Sequence, residues 1–389
     1  QTDVTGASDS QTIKVAALGA DDGVALTMVD VETLNVSSDT ANQVDLELAN
    51  VSMTTSGATT AVNVTGTNDI EIVSTNADIN VIDASTMGTG GAVVQSGRSR
   101  TDSVTYTGSS GADTFIMINT ADTLTGGSGS DTLDVNKAAI LGGLNIDLSN
   151  TTDQVISFNG SASSGTALGF ENVLADGYTG SFGAQLTGSS VANTLTGTAN
   201  ADVISGAAGG DTITGGAGAD TIDGGSGADD IVYSADADAG TAGTLAQAQG
   251  DTVTFVLADD STSFIGDFLF GNMTGSAANA VNAVANAGGI NLNGSGTGDD
   301  TVQLIAGDAG NTANLADLFT IGDLQTAAGT ITNEASGDER ILAFTAATSG
   351  ETVVYKYTAA DTGNDIDAGE LQVIGLFNTT LTAADFTFS

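Results

Sequence analysis

The chain of 389 residues contains no cysteine, no histidine, no proline and no tryptophan, and only six lysines and arginines. Each absence removes a class of chemistry. Without cysteine there is no disulfide, no thiolate metal site and no thiol nucleophile. Without histidine there is no Ser-His-Asp triad and no HExxH zinc site. No apolar run reaches the length of about 18 residues that reads as a membrane-spanning helix. The 48 aspartates and glutamates are hardly offset, and the net charge is −42. Such an excess repels nucleic-acid phosphates and anionic membranes, and it opposes compaction unless cations bind the carboxylates. Nucleic acid and membrane insertion are therefore not expected among its partners. The first ten residues, QTDVTGASDS, hold neither a basic nor an apolar region and do not read as a secretory signal. A chain that opens on Gln is expected to be processed or part of a longer one.

What is present is periodic. Apolar residues make up 40% of the chain and glycine occurs 53 times, which argues against disorder when the placement is regular. Residues 11–95 run in short alternating phrases, TIKVAAL, VETLNVSS, VDLELANV, AVNVTG, DIEIVS and INVIDAS, parted by Asn, Asp, Ser and Gly. These predict short strands of an irregular β-solenoid, and GFENVLAD echoes the same unit further on. SGRSRTDS is expected as a joint. The expected organisation is an irregular solenoid over 1–97, a repeat-bearing roll over 98–240 and a β-rich part over 241–389. In that last part DTVTFVLA, ERILAFTAA, ETVVYKYTA, LQVIGLF and DFTFS read as strands. SAANAVNAVANAGG (276–289) is expected as a helix, with Ser276 as N-cap and Gly288 as its stop. The apolar end LTAADFTFS is expected to dock or to act as a signal. In VVYKYTA, Tyr355 and Tyr357 alternate in phase with Val353 and should share a strand face.

The strongest pattern has a period of nine. Asn193, Asp202, Asp211, Asp220 and Asp229 keep that interval, and so do Gly188, Gly197, Gly206, Gly215 and Gly224. An aliphatic residue stands two places behind each acid: Leu195, Ile204, Ile213, Ile222 and Ile231. A shorter run has Asp113, Asp122 and Asp131, followed by Phe115, Leu124 and Leu133, and a degenerate copy holds Asp300 and Val302. The arrays occupy about 108–134 and 188–232. The pattern G-G-x-G-x-D-x-U-x is a parallel β-helix repeat that binds calcium. Its glycines, here Gly127, Gly129, Gly209, Gly216, Gly218, Gly225 and Gly227, permit positive φ and turn carbonyls inward. The aspartate adds a carboxylate to that ring, and the aliphatic residue fills the core.

One unit makes half a coil, so eighteen residues should close one turn. Asp113 should then stack with Asp131, Asn193 with Asp211, Asp202 with Asp220 and Asp211 with Asp229. Coils stack about 4.8 Å apart, which lets one ion of calcium size reach two loops. Magnesium demands a stricter octahedron, and without His or Cys transition metals are poor candidates. The alternative is a glycine-rich solenoid whose aspartates only hydrogen-bond their own turns. Asn193 and the missing glycines of MINTADTLT weaken their own sites. The cluster DTGNDIDAGE (Asp361, Asp365, Asp367, Glu370) is either a solvated turn or an extra cation site.

These repeats resemble the RTX (repeats-in-toxin) family of calcium-binding proteins exported by type I secretion. The resemblance implies an all-β fold, a calcium-loaded parallel β-roll with a β-rich C-terminal domain, several Ca2+ ions and a secreted, extracellular location. The threonine-rich phrases of 11–95, the composition and the β-rich end resemble RTX-type surface-layer (S-layer) proteins of bacteria such as Caulobacter. On that resemblance the chain is expected to be a structural protein and not an enzyme. It would assemble with copies of itself at the cell surface, with a cell-surface polysaccharide as a further partner. An RTX adhesin or filament subunit, or the calcium and secretion module of a larger secreted enzyme, is the alternative.

Overall fold

The computed structural model describes residues 10–14, 33–38, 44–47, 61–73, 79–88, 93–96, 103–136, 142–233, 251–254, 261–264, 280–284, 301–306, 315–328, 339–360, 366–382 and 385–388. The chain divides into two compact units, Gln1–Phe182 and Gly183–Ser389. The division falls between the two repeat arrays, inside the span expected as one roll.

In the first unit the alternating phrases are strands that stack in parallel. One face carries Ser10–Lys14, Thr33–Ser38, Ala61–Gly66, Val81–Asp83, Thr105–Thr107, Thr123–Thr125 and Thr166–Leu168, in that order. The other carries Val44–Glu47, Ile70–Val73, Val93–Ser96, Thr114–Ile116, Thr132–Asp134 and Asn172–Leu174. On the first face Ser10 pairs with Thr33, Thr33 with Ala61, Ala61 with Val81 and Val81 with Thr105, intervals of 23, 28, 20 and 24 residues. The interval becomes eighteen only at the repeats, where Thr105 pairs with Thr123 and Thr114 with Thr132. Alternation explains the packing: Leu34, Val36, Val62, Val64, Ile82 and Leu124 point inward and are buried, while Thr33, Asn35, Asn63, Thr65, Thr123 and Thr125 beside them face out. Tyr106, Phe115 and Phe170 fill the widest part of this core, with ring centroids 5.7 Å and 6.5 Å apart.

The next coil is longer. Thr123 pairs with Thr166 and Thr132 with Asn172. The added chain forms an antiparallel strand set, Leu144–Asp147, Val155–Phe158 and Ser161–Ala162. Gln154 ties it to the roll, its side-chain amide donating to the carbonyls of Leu148 and Phe170 and its Oε1 accepting from the Phe170 amide.

In the second unit the eighteen-residue register runs without a slip. Ala184–Thr187 stacks under Val203–Ser205 and that under Thr221–Asp223; Thr194–Thr196 stacks under Thr212–Thr214 and that under Asp230–Tyr233. The buried aliphatic side chains form two files, Leu186, Ile204 and Ile222 on one face and Leu195, Ile213 and Ile231 on the other. Asp251–Thr254 and Ser261–Phe264 extend the two faces. Onto these pair Leu371–Phe377 and Phe386–Phe388, so the apolar end of the chain is docked as a strand. Leu371–Phe377 pairs antiparallel with Thr352–Thr358, which in turn pairs antiparallel with Glu339–Thr345. Val353, Tyr355 and Tyr357 pack into one core cluster, on the shared face that their phase predicts.

Two expectations need correction. Within 276–289 the described residues are a strand, Ala280–Val284, paired in parallel with Thr301–Ile305. Val281 and Val284 suit a pleated surface, and an available edge outweighs the modest helix preference of alanine. The α-helix found among the described residues is Ile321–Ala328, which follows a 3-10 turn, Leu315–Phe319. Its apolar positions Leu324, Ala327 and Ala328 pack with Leu318 and Tyr355 in the core of this C-terminal part. No helix among the described residues is long and apolar enough to cross a membrane.

Candidate metal centre

The eight repeat loops whose acids were singled out, apart from the copy at Asp300, lie within the described residues; Asp300 lies outside them. Each loop is six residues long and ends on its acid. Asp113, Asp122, Asp131, Asn193, Asp202, Asp211, Asp220 and Asp229 are all buried, at most 2% exposed. Burying so many carboxylates demands compensation, and the stacking supplies part of it. The amide of Asp113 donates to Oδ1 of Asp131 at 2.8 Å, that of Asn193 to Asp211 at 2.8 Å, that of Asp202 to Asp220 at 2.8 Å and that of Asp211 to Asp229 at 2.9 Å. These are the four pairs the eighteen-residue count joins. The amides of Val104 and Ala184 are held in the same way by Asp122 and Asp202. One oxygen of Asp122, Asp131, Asp202, Asp211, Asp220 and Asp229 thus knits its coil to the coil before.

The other oxygen separates the loops into two kinds. In 108–113 the amide of Ser109 donates to Oδ2 of Asp113 at 2.6 Å, and its hydroxyl reaches both carboxylate oxygens. In 197–202 Thr198 does the same to Asp202, with the amide at 2.6 Å and the hydroxyl at 2.9 and 3.2 Å. In 188–193 the amide of Ser189 donates to Oδ1 of Asn193 at 2.6 Å. In 117–122 the amides of Ile118 and Asn119 both donate to Asp122 at 3.0 Å. These acids close their own turns.

The second kind has glycine or alanine in the place of that serine or threonine. Gly127, Gly216 and Gly225 take φ of 121°, 95° and 94°, and Ala207 takes 73°. The left-handed turn carries the amide away from the carboxylate. In 126–131 and 206–211, Oδ2 of Asp131 and of Asp211 is buried and accepts no hydrogen bond. That oxygen is turned into its own loop: a Cβ on Gly126 would meet Oδ2 of Asp131 at 2.6 Å, and one on Gly206 would strike that of Asp211. A backbone carbonyl of the next coil borders the same space, that of Gly169 at Gly126 and that of Gly224 at Gly206, and other carbonyls crowd the neighbouring glycines. A Cβ on Gly127 would strike the carbonyl of Ser109, one on Gly129 that of Gly111, one on Gly216 that of Thr198 and one on Gly225 that of Ala207. Gly209, Gly218 and Gly227 also hold positive φ, at 145°, 135° and 136°. All seven glycines singled out in the sequence therefore occupy conformations that other residues rarely adopt.

The electrostatics follow the geometry. Burial pushes the Asp131 carboxyl up to about 7; the neighbouring carboxylates of Asp113 and Glu171 add to the shift, and the Asp113 amide opposes it. Burial also raises Asp211, against the amide of Asn193, and Asp202, against the amides of Ala184 and Thr198 and the Thr198 hydroxyl. A cation would hold Asp131 and Asp211 ionised. The donor set is all oxygen, mostly backbone carbonyl with single carboxylates, and among the described residues no three acids cluster together. Such a set fits calcium, which accepts six to eight oxygens in flexible geometry, better than magnesium or a transition metal. Bound calcium would supply the positive charge that the loops lack.

Glu171 escaped the reading by periodicity. Its Oε2 accepts the amide of Asp131 at 2.8 Å, so it takes the place of the next aspartate after the long coil. The signal was the echo GFENVLAD, whose acid falls one position before its strand as in the repeats. In the cluster near the C-terminus, Asp361 and Asp365 lie outside the described residues. Glu370 is buried and accepts the amides of Ala360 and Asp367 at 2.7 and 2.8 Å, a turn cap.

No curated protein matches the chain closely enough to be called a relative. The RTX calcium-binding nonapeptide repeat (4 copies) matches residues 119–137, 187–220, 196–231 and 205–239. These spans take in the loop 126–131 and the loops of the second unit that end at Asn193, Asp202, Asp211, Asp220 and Asp229, whereas 108–113 lies outside them. In those spans the chain carries RTX calcium-binding nonapeptide repeats, stacked as a parallel β-roll.

Proposed function

We propose that this chain is a structural, non-enzymatic protein of a bacterial cell surface. It is exported by type I secretion and assembles with copies of itself into a surface layer once calcium fills its roll. The observation that carries the reading is the pair of buried, unpartnered oxygens of Asp131 and Asp211 in carbonyl-lined loops. A roll built this way is completed by calcium, which is abundant outside cells and scarce within. Extracellular calcium modules bind at about 10⁻⁴–10⁻³ M, so the same chain stays unassembled before export and consolidates after it. A net charge of −42 keeps copies apart until cations neutralise it. The absence of histidine and cysteine from the sequence supports a structural role. The partner is then a second copy of the chain, with a cell-surface polysaccharide as attachment.

Electron microscopy of the purified chain tests this. Millimolar calcium should give sheets or extended arrays, and chelation should disperse them. A chain that stays monomeric at high calcium and binds one defined glycan or receptor would be an adhesin. A chain that neither assembles nor binds such a ligand would be the calcium and secretion module of a larger enzyme.

A further inference from the structure

The division of the loops into two kinds is also an order along the chain. In the first unit 108–113 and 117–122 close on themselves, one on each side of one coil, and 126–131 follows with its buried oxygen unpartnered. In the second unit 188–193 and 197–202 close on themselves, again one on each side, and 206–211 follows with its oxygen unpartnered. Loops 215–220 and 224–229 then repeat the left-handed second residue. Each array thus starts with one complete self-closed coil.

The closing element has a chemical signature. Where the second loop residue is Ser109, Ser189 or Thr198, its amide takes the inward carboxylate or amide oxygen and its hydroxyl lies against the same group. The hydroxyl also accepts an amide two residues on, from Gly111 at 2.9 Å, Val191 at 3.3 Å and Asn200 at 3.1 Å. The amide and the neutral hydroxyl of that one residue then satisfy the group that calcium would satisfy elsewhere. Asn193 shows that charge is dispensable here, because a carboxamide oxygen accepts the same closing bond that Asp202 accepts.

We propose that these self-closed coils bind no calcium and are metal-independent templates, on which the calcium-requiring loops from 126 and from 206 onward order. The proposal rests on the calcium reading of the repeats and divides them: Asp113, Asp202 and Asn193 are structural, whereas Asp131 and Asp211 are ligands. The template is already knit to what it orders, since the Asn193 amide needs Asp211 and the Asp202 amide needs Asp220.

The test compares Asp202→Asn with Asp211→Asn in the full chain. Calcium per chain, counted by elemental analysis after equilibration in calcium buffer, should be unchanged in D202N and lower by about one ion in D211N. Hydrogen exchange on the unaltered chain gives a second readout that needs no variant to fold. In excess chelator the Thr198 and Ser189 amides should keep protection within about threefold of the calcium-loaded value, while amides of 206–232 lose about a hundredfold or more. Equal calcium loss in the two variants, or collapse of Thr198 protection together with 206–232, overturns the proposal and leaves calcium binding intact. An unaltered chain that takes up no calcium overturns the calcium reading itself.

Discussion

Glu171 stands above Asp131 as Asp131 stands above Asp113: each accepts the amide of the acid below it at 2.8 Å. The first step spans forty residues and the second eighteen, yet the ladder is continuous. Replacing Glu171 with Ala would leave the buried Asp131 amide without an acceptor, at a cost of about 1–3 kcal/mol. Urea denaturation in chelator is the measurement. Glu171→Gln, which keeps an acceptor oxygen, should recover most of the loss.

The pH dependence should invert with calcium. Asp131 is raised from 3.8 to about 7 in the fold, so the metal-free fold favours its protonated form. Its contribution is fully present below about pH 3.8 and is lost as pH rises through about 7. Asp202 and Asp211 shift the same way. Calcium requires the ionised form, so its affinity should fall as pH drops below about 7, and binding near pH 6.5 should release protons. Denaturation in chelator at pH 5 and pH 8, with calorimetry in two buffers of different ionisation enthalpy, measures both. A metal-free chain more stable at pH 8 than at pH 5 would contradict this assignment.

Chelation should destabilise the second unit measurably. A ligand at a hundred times its dissociation constant stabilises a fold by about 2.7 kcal/mol per site. Thermal melts followed by circular dichroism should therefore shift down in EDTA and recover when calcium is restored.

Glycine substitutions should sort by backbone and by neighbour. Gly216→Ala imposes a Cβ at φ 95° against the Thr198 carbonyl, and strain of this kind costs about 1–3 kcal/mol. Gly322, inside the helix Ile321–Ala328, has nothing within 4 Å of the added carbon, and Gly322→Ala should stabilise by about 0.4–1 kcal/mol. Denaturant midpoints of the two variants should move in opposite directions.

The roll was legible in the sequence because its period is enforced twice, once by the inward aliphatic and once by the acid. A slip of one residue would bury threonine and expose Ile213 or Ile222. The C-terminal strands were legible for the same reason of alternation. Ala280–Val284 was not, because alanine and asparagine carry little preference and the neighbour that decides, Thr301–Ile305, lies some twenty residues away. The helix Ile321–Ala328 is too short to show a period. In the loops, the repeat marked which acids stack, but not that self-closed acids and acids with an unpartnered oxygen coexist. That distinction hangs on one residue, serine or threonine against glycine or alanine, whose meaning emerges only from the bonds of Thr198 and the turn at Ala207.

The strand set 144–162 extends one coil between the loops of Asp122 and Glu171 while the strands on either side of it keep their pairing. Lengthening a connection costs only about 0.6 kcal/mol per doubling, and the ladder resumes wherever an acid returns in phase. Such a fold can acquire new surface by lengthening one coil and leaving its neighbours unchanged. Variation among chains of this kind should therefore gather at coil boundaries, where a foreign segment could be spliced without redesigning what lies on either side.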